Sequence, residues 1–411
     1  MNWLTNLLGG KPSKNDFAKM VLKMTAGSAK NDKPTYDAKA FAIRYFNEAG
    51  EETMAMNLSN IYADYCQTPK ELRNQLLTNF ISADFTEPET LHDAIVNIMA
   101  RLQPRMFFEV MELNSSPNRQ QSDGTDKVVH HYERLAEHFA ITLVVDNPTT
   151  VYYLSNKTLE QWGTTFEEIL PRAITNLTRI TPEPFQRLQE GVYYSASGDT
   201  HDASRLLVLH RVQACRLKGR PVAFTPNRNT LIITGDNDRE GLDRAIAVVY
   251  EALKEPRPMP VFPLILDDEK WQLWEVPDDH PCADDLHNLS MVSFGDLYGE
   301  QKGLLEKKFE SEGKDVFVCP YEIMSPKDSK RYFSFGTWSK GVPTYLPESS
   351  QIALVSTAKG KPVVHCMATF KAVHSVMGEY MKRQDFYPTR YFVETFPNKE
   401  QLARIKELGE V

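Results

Sequence analysis

The sequence predicts an α+β protein in which mixed sheets carry packed helices, and three observations support this. The chain has 411 residues, enough for two or three domains that each bury a core. Its 41% hydrophobic and 25% charged residues match a globular chain and not a disordered one. Short runs with apolar residues at every second position alternate with longer runs at three- and four-residue spacing, so strands and helices succeed one another along the length.

Taken in order, a first helix starts at Ser13 and places Phe17, Met20, Val21 and Met24 on one face. Phe41, Ile43 and Tyr45 alternate, residues 47–50 supply turn chemistry, and Met54, Met56 and Leu58 alternate back, which reads as a hairpin. Thr68-Pro69-Lys70-Glu71 has the form of a capping box opening a helix with Leu72, Leu76, Leu77 and Phe80 inward. A further helix is expected over about Glu87 to Leu102, then a polar loop or linker from Asn114 to Lys127. Strands follow at Ala140 to Val145 and Thr150 to Leu154, a helix at Thr165 to Leu177, and a strand at Gly191 to Ala196. A helix from Asp202 to Leu217 leads to strands at Pro221 to Phe224 and Leu231 to Thr234, and Asn237-x-x-Glu240 reads as a second capping box. In the tail, Arg331 to Gly336, Val342 to Pro347, Ile352 to Val355 and a helix near Pro362 to Arg383 echo the order of Gly191 to Leu253. The pattern suggests two diverged copies of a strand-turn-strand-helix unit. The domains then read as 1–112, a hairpin-helix region; 128–268, an α+β core; and 283–411, a C-terminal α+β unit.

The formal net charge of -8 disfavours a surface built to coat nucleic acid, although a local basic patch is compatible with it. The five cysteines, Cys66, Cys215, Cys282, Cys319 and Cys366, are scattered and never spaced as C-x-x-C, which suits free thiols in a reducing cytoplasm. Residues Met1 to Lys11 lack the features of a signal peptide, and no apolar run reaches the roughly 20 residues that cross a bilayer.

From about Tyr36 to Leu264 the chain resembles the YtpQ family, a bacterial domain of unknown function. The matching residues are Tyr36-Asp37, Asn57-Leu58, Ile141 to Asp146 with Thr150-Val151-Tyr152, Asn176-Leu177, Asp202-Ala203-Ser204-Arg205-Leu206-Leu207, Leu231 to Thr234 and Pro258 to Leu264. The resemblance covers about residues 36–265 and implies an α+β fold and a cytoplasmic location. It brings no activity with it.

Chemistry is sought first between Asp199 and Asp238. Arg205, Arg211, Arg216, Lys218, Arg220 and Arg228 lie between Ala203 and Gly235 with no Asp or Glu among them, a positive island in an acidic chain. With Asp202 and Ser204 they form a candidate patch for a phosphate, a carboxylate or an acidic protein partner. Arg216, Lys218 and Arg220 equally suit the negative end of a helix. Asp199, Asp202 and Asp236 flank the island and could converge on a hard cation, or simply cap helices. His280-Pro-Cys282-Ala-Asp284-Asp285-Leu-His287 gathers metal-ligand types at a spacing that fits a polar loop better than a zinc site. Val363-Val-His365-Cys366 places its His and Cys next to each other, where they diverge, and Cys366 reads as a core thiol. Trp271 and Trp274 could form a recognition surface or close a domain joint. Signatures of dinucleotide, P-loop, zincin and nucleophile-elbow chemistry are absent. The expectation is therefore a non-enzymatic protein-binding module with no cofactor, using the island to hold an acidic partner. The alternative is a metal-dependent enzyme, or a nucleic-acid or nucleotide-binding protein, acting on a phosphate group.

Overall fold

A computed structural model describes residues 11–25, 33–46, 52–81, 89–113, 130–147, 151–327 and 329–411. The fold is α+β. The chain divides into two compact units: Met1–Met99 with Val144–Tyr153 and Lys254–Arg257, and Ala100–Leu143 with Leu154–Leu253 and Pro258–Val411. The linker expected at Asn114 to Lys127 and the turn at 47–50 lie outside the described residues.

In the first unit, helix α1 (Lys14–Thr25) packs against an antiparallel sheet of β1 (Lys33–Asp37), β2 (Ala42–Phe46) and β3 (Glu52–Asn57), joined by α2 (Ser59–Gln67) and α3 (Arg73–Ile81). Phe17 and Val21 of α1, Ile43 of β2, Ile61 of α2 and Leu77 of α3 share one core, as the two periodicities require. The capping box at Thr68 does not form. The Thr68 hydroxyl and backbone N–H both donate back to the Asp64 carbonyl, at 2.7 and 2.8 Å, so Thr68 closes α2 and does not open the next helix. Within the same unit Arg257 forks onto the Asp64 carboxylate, at 3.0 and 2.5 Å.

The helix expected over Glu87 to Leu102 is instead a single turn, α4 (Leu91–Ala94), and a strand, β4 (Ile98–Pro104). Residues 98–103 are all buried, and a strand covered on both faces carries no two-residue alternation to separate it from a helix. In the second unit β4 pairs with β6 (Phe139–Asp146), which follows helix α5 (Met106–Leu113) and its antiparallel partner β5 (Tyr132–Leu135). In the first unit β7 (Val151–Tyr153) pairs with residues 144–146 of β6. After α6 (Asn156–Gln161), helix α7 (Phe166–Ile180) opens with a complete capping box between Thr165 and Glu168.

A six-stranded antiparallel sheet forms the middle of the second unit from β8 (Gln186–Gln189), β9 (Val192–Ser195), β10 (Pro221–Asn227), β11 (Thr230–Gly235), β12 (Leu264–Asp267) and β13 (Lys270–Leu273). Its order is β13-β12-β10-β11-β9-β8. Helix α9 (Arg239–Ala252) lays Leu242, Ala245, Ile246 and Val249 on Val222, Phe224 and Ile232. Its N-cap is Asp238, whose carboxylate accepts from Gly241 N at 3.1 Å, and not Asn237. The helix expected from Asp202 to Leu217 is broken into a 3-10 turn (Ala203–Leu207) and a short α8 (Leu209–Gln213), parted at Val208, where ψ is 70°.

Helix α10 (Ala283–Ser311) leads into two four-stranded sheets. One is β14-β17-β21-β20, from β14 (Phe317–Val318), β17 (Thr344–Pro347), β20 (Lys382–Arg383) and β21 (Arg390–Val393). The other is β15-β16-β18-β19, from β15 (Glu322–Met324), β16 (Phe333–Ser339), β18 (Gln351–Ala358) and β19 (Lys361–Thr369). Trp338, Leu346, Leu354, Cys366 and, from α11 (Phe370–Met377), Val373 share a core that α12 (Lys399–Gly409) completes with Ile405. The helix expected near Pro362 to Arg383 is therefore strand β19 followed by α11. The suggested duplication is not repeated in topology: β10 and β11 are antiparallel neighbours, whereas β16 and β18 pair in parallel and β17 belongs to the other sheet. Among the described residues no helix is long and apolar enough to cross a membrane, and all five thiols are free.

Candidate functional site

Carboxylates from outside the positive island meet most of its charges. Arg205 is fully buried, its guanidinium bound to Asp199 at 2.5 Å, to Asp202 at 2.6 Å and to the Ile180 carbonyl at 3.1 Å. Asp202, also fully buried, accepts further bonds from Ser195 Oγ, Ser197 N and Gly198 N at 2.6, 2.8 and 3.0 Å. Ser204 Oγ accepts from Leu102 N at 3.0 Å, and Arg101 ties down Thr200 through its carbonyl and hydroxyl. Burial pushes the Asp199 carboxyl up, but the Arg205 guanidinium and the His201 N–H more than offset it and hold the group below its usual range. Thr200 has a φ of 67°, a left-handed conformation that a β-branched residue adopts only where its surroundings fix it. The Asp202 to Leu207 motif is thus a buried structural knot, with no surface for a partner.

Around it, Arg211 pairs with Glu183, Lys218 with Asp238 at 3.4 Å, and Arg220 with Asp236 and Asp267 at 3.0 and 3.3 Å. Arg228 reaches Gln103 at 3.5 Å, and Arg216 is exposed. The expected free patch from Arg205 to Arg228 is corrected accordingly: the flanking Asp199, Asp202, Asp236 and Asp238, joined by the more distant Glu183 and Asp267, meet most of its charges. The proposed metal trio is corrected as well. Asp199 and Asp202 hold Arg205 while Asp236 holds Arg220, and among the described residues no three His, Cys, Asp or Glu side chains are grouped to take an ion. In the His280 to His287 segment, Cys282 Sγ donates to Asp243 at 3.2 Å and His287 contacts the Tyr332 carbonyl at 3.0 Å. Trp271 is buried, with its indole N–H on the Leu206 carbonyl at 2.9 Å. His365 contacts Ser356 Oγ at 2.8 Å across β18 and β19, and Cys366 is a core thiol.

A cleft of about 690 Å³ lies elsewhere in the second unit, where the β5–β6 turn, the start of α5, the middle of α10 and residues 383–389 meet. Its inner wall is aromatic. His138 is buried and tilted against Phe262 at 4.0 Å, and its Nδ1 meets the Tyr387 hydroxyl at 3.1 Å. Tyr298 donates to the Thr389 carbonyl at 2.7 Å and accepts from Glu348 N at 3.1 Å. Burial is the main cause of every shift here. It lowers His138 to about 4, with Arg105 adding to the effect, and raises both tyrosines well above the ordinary phenol range. Arg105 is half-buried, and its guanidinium lies over the Tyr387 ring at 4.5 Å. Behind it on α5, burial raises Glu109 to about 7 against the Tyr387 backbone N–H, and Glu112 and Asp385 add repulsion.

The rim is charged and exposed: Arg134, Glu137, Glu348, Arg383 and Asp385. The turn that carries Glu137 is strained, since Ala136 and Glu137 both take positive φ, 48° and 66°, without a glycine. Below the cleft the fully buried Arg390 binds Gln301 at 2.5 Å and the Cys319 carbonyl at 2.7 Å, while Gln301 holds the Pro388 carbonyl at 2.7 Å. That network fixes the segment presenting Tyr387. Sequence reasoning missed all of this, because Arg105, His138 and Tyr387 come from three distant stretches, and 249 positions separate the last two. The only local signal was a charged and aromatic run, Arg383 to Arg390, which has no motif.

No family model matches the chain, and neither a curated protein nor a solved structure matches it.

Proposed function

We propose that the chain is a non-enzymatic binding module for another protein, acting in a reducing cytoplasm, and that its contact site is the second-unit cleft and not the Arg205 to Arg228 island. The observation that carries the reading is the resting chemistry of the cleft. A nucleophilic tyrosine needs a lowered pKa and a general base needs one poised near neutrality, with access to substrate. Here the Tyr387–His138 pair is held neutral by burial, and among the described residues no carboxylate bonds to the imidazole to activate it. The cleft keeps what recognition needs: an aromatic wall, a half-buried arginine and a charged rim. The resemblance of residues 36–265 to the YtpQ family is compatible with this reading and assigns no site.

The test is affinity capture from a cell lysate with two exposed-residue double variants, read by mass spectrometry. We expect a co-purifying protein that is lost with Arg134→Glu/Arg383→Glu at the cleft and kept with Arg216→Glu/Arg220→Glu on the island. Retention in the first variant and loss in the second would return the contact to the island.

A further inference from the structure

The charges of the cleft are not equal in effect, because depth decides how far water screens them. The five rim groups are exposed, so their fields are weakened by solvent and salt, and two cations stand there against three anions. Arg105 is only half-exposed, sits against the buried His138 and Tyr387, and makes no side-chain hydrogen bond or ion pair among the described residues. The guanidinium carbon lies 4.5 Å from the Tyr387 ring centroid, and the Tyr387 hydroxyl is itself held by His138 Nδ1 at 3.1 Å. A cation–π contact consumes none of the guanidinium N–H donors, the part of an arginine that forks onto paired oxygens. The nearest interior groups do not oppose an anion: His138 and Tyr387 are neutral, and Glu109 is largely protonated on the acid side of neutrality.

We propose that the cleft receives an acidic peptide segment, with one carboxylate seated edge-on against Arg105. This rests on the binding reading above and names the chemistry of the partner. A volume of about 690 Å³ holds a few side chains, which suits a short run of Asp or Glu more than a folded surface. Arg134 and Arg383 at the rim meet the flanking carboxylates, and the exposed Glu137, Glu348 and Asp385 limit how many the segment can carry.

The test is calorimetric titration of the full chain at pH 6 with hexaglutamate and hexaglutamine, followed by displacement with inorganic phosphate. Hexaglutamate should bind saturably, hexaglutamine should not, and phosphate should compete as a second oxyanion. Arg105→Gln should weaken hexaglutamate binding by about 10- to 100-fold, the range for a lost charge-assisted fork. Arg105→Lys keeps the charge without the fork and should lose about 10-fold, which guards against a folding defect in the first variant. Equal binding of the two peptides, or hexaglutamate affinity unchanged in both Arg105 variants, overturns the acidic-segment proposal. So does binding of phosphate alone with no peptide affinity. In each of these cases the captured protein, and its loss with the rim variant, still decides the binding reading separately.

Discussion

Removing the Arg205 side chain would leave Asp202 fully buried with its cation gone, and an uncompensated interior charge costs far more than the pair is worth. Arg205→Ala should therefore destabilise the protein by about 3–5 kcal/mol. The exposed Arg216→Ala should stay within about 0.5 kcal/mol of the parent. Urea denaturation of both variants measures the difference, and a near-neutral Arg205→Ala would refute the structural role given to the knot. The same contrast separates this residue from Arg105. Arg205 has two carboxylates and a carbonyl bonded to its guanidinium, whereas Arg105 has an aromatic ring beside it and Glu109 near enough to act on it only through its charge, so the first is committed to the fold and the second is available to a ligand.

At the scale of elements, two local choices can be tested directly. Asp238 caps α9, so Asp238→Ala should cost about 1–2 kcal/mol. Asn237→Ala, one position earlier, should cost less than about 0.5 kcal/mol by the same denaturation measurement, because its side chain caps nothing. In the β5–β6 turn, Glu137→Gly relieves a left-handed backbone and should raise stability by about 0.5–1 kcal/mol. A loss instead would show that Glu137 contributes more through its side chain than the turn costs. These cases also show how much of the fold the sequence made legible. Helices and hairpins with one buried face were read correctly, as at α1, α7, α9 and β2–β3, because period and burial coincide there. The errors fall where that coincidence fails: β4 is buried on both faces, the Asp202 to Leu217 segment buries arginine and serine, and Thr68 bonds backwards to the previous helix. The island was visible as composition, but its neutralisation depends on Glu183, Asp236 and Asp267, which only the folded chain brings to it. The cleft was missed because residues 383–389 form one wall without a motif and its other walls come from distant stretches.

For the molecule as a whole, two groups beside the cleft set opposing pH dependences. His138 titrates near 6.5 when unfolded and at about 4 in the fold, so its contribution is complete above 6.5 and is lost as pH falls through about 4. Glu109 runs the other way: raised from 4.5 to about 7, it contributes fully below 4.5 and loses that contribution as pH rises through about 7. Between 4.5 and 6.5 the two slopes cancel in part, and stability from this region should fall on either side of that window. Glu109→Gln removes the alkaline limb while keeping an acceptor for the Tyr387 N–H. The variant should therefore melt several degrees above the parent at pH 8 and converge with it near pH 4.5, in the calorimetric transition that responds to the substitution. Ligand capture should follow the same axis, since ionised Glu109 places a negative charge near Arg105 and competes with an incoming carboxylate. Hexaglutamate should accordingly bind the parent more weakly at pH 8 than at pH 6, and Glu109→Gln should bind it equally at both. A parent and variant with the same pH profile would show that Glu109 is neither the source of the alkaline limb nor coupled to Arg105.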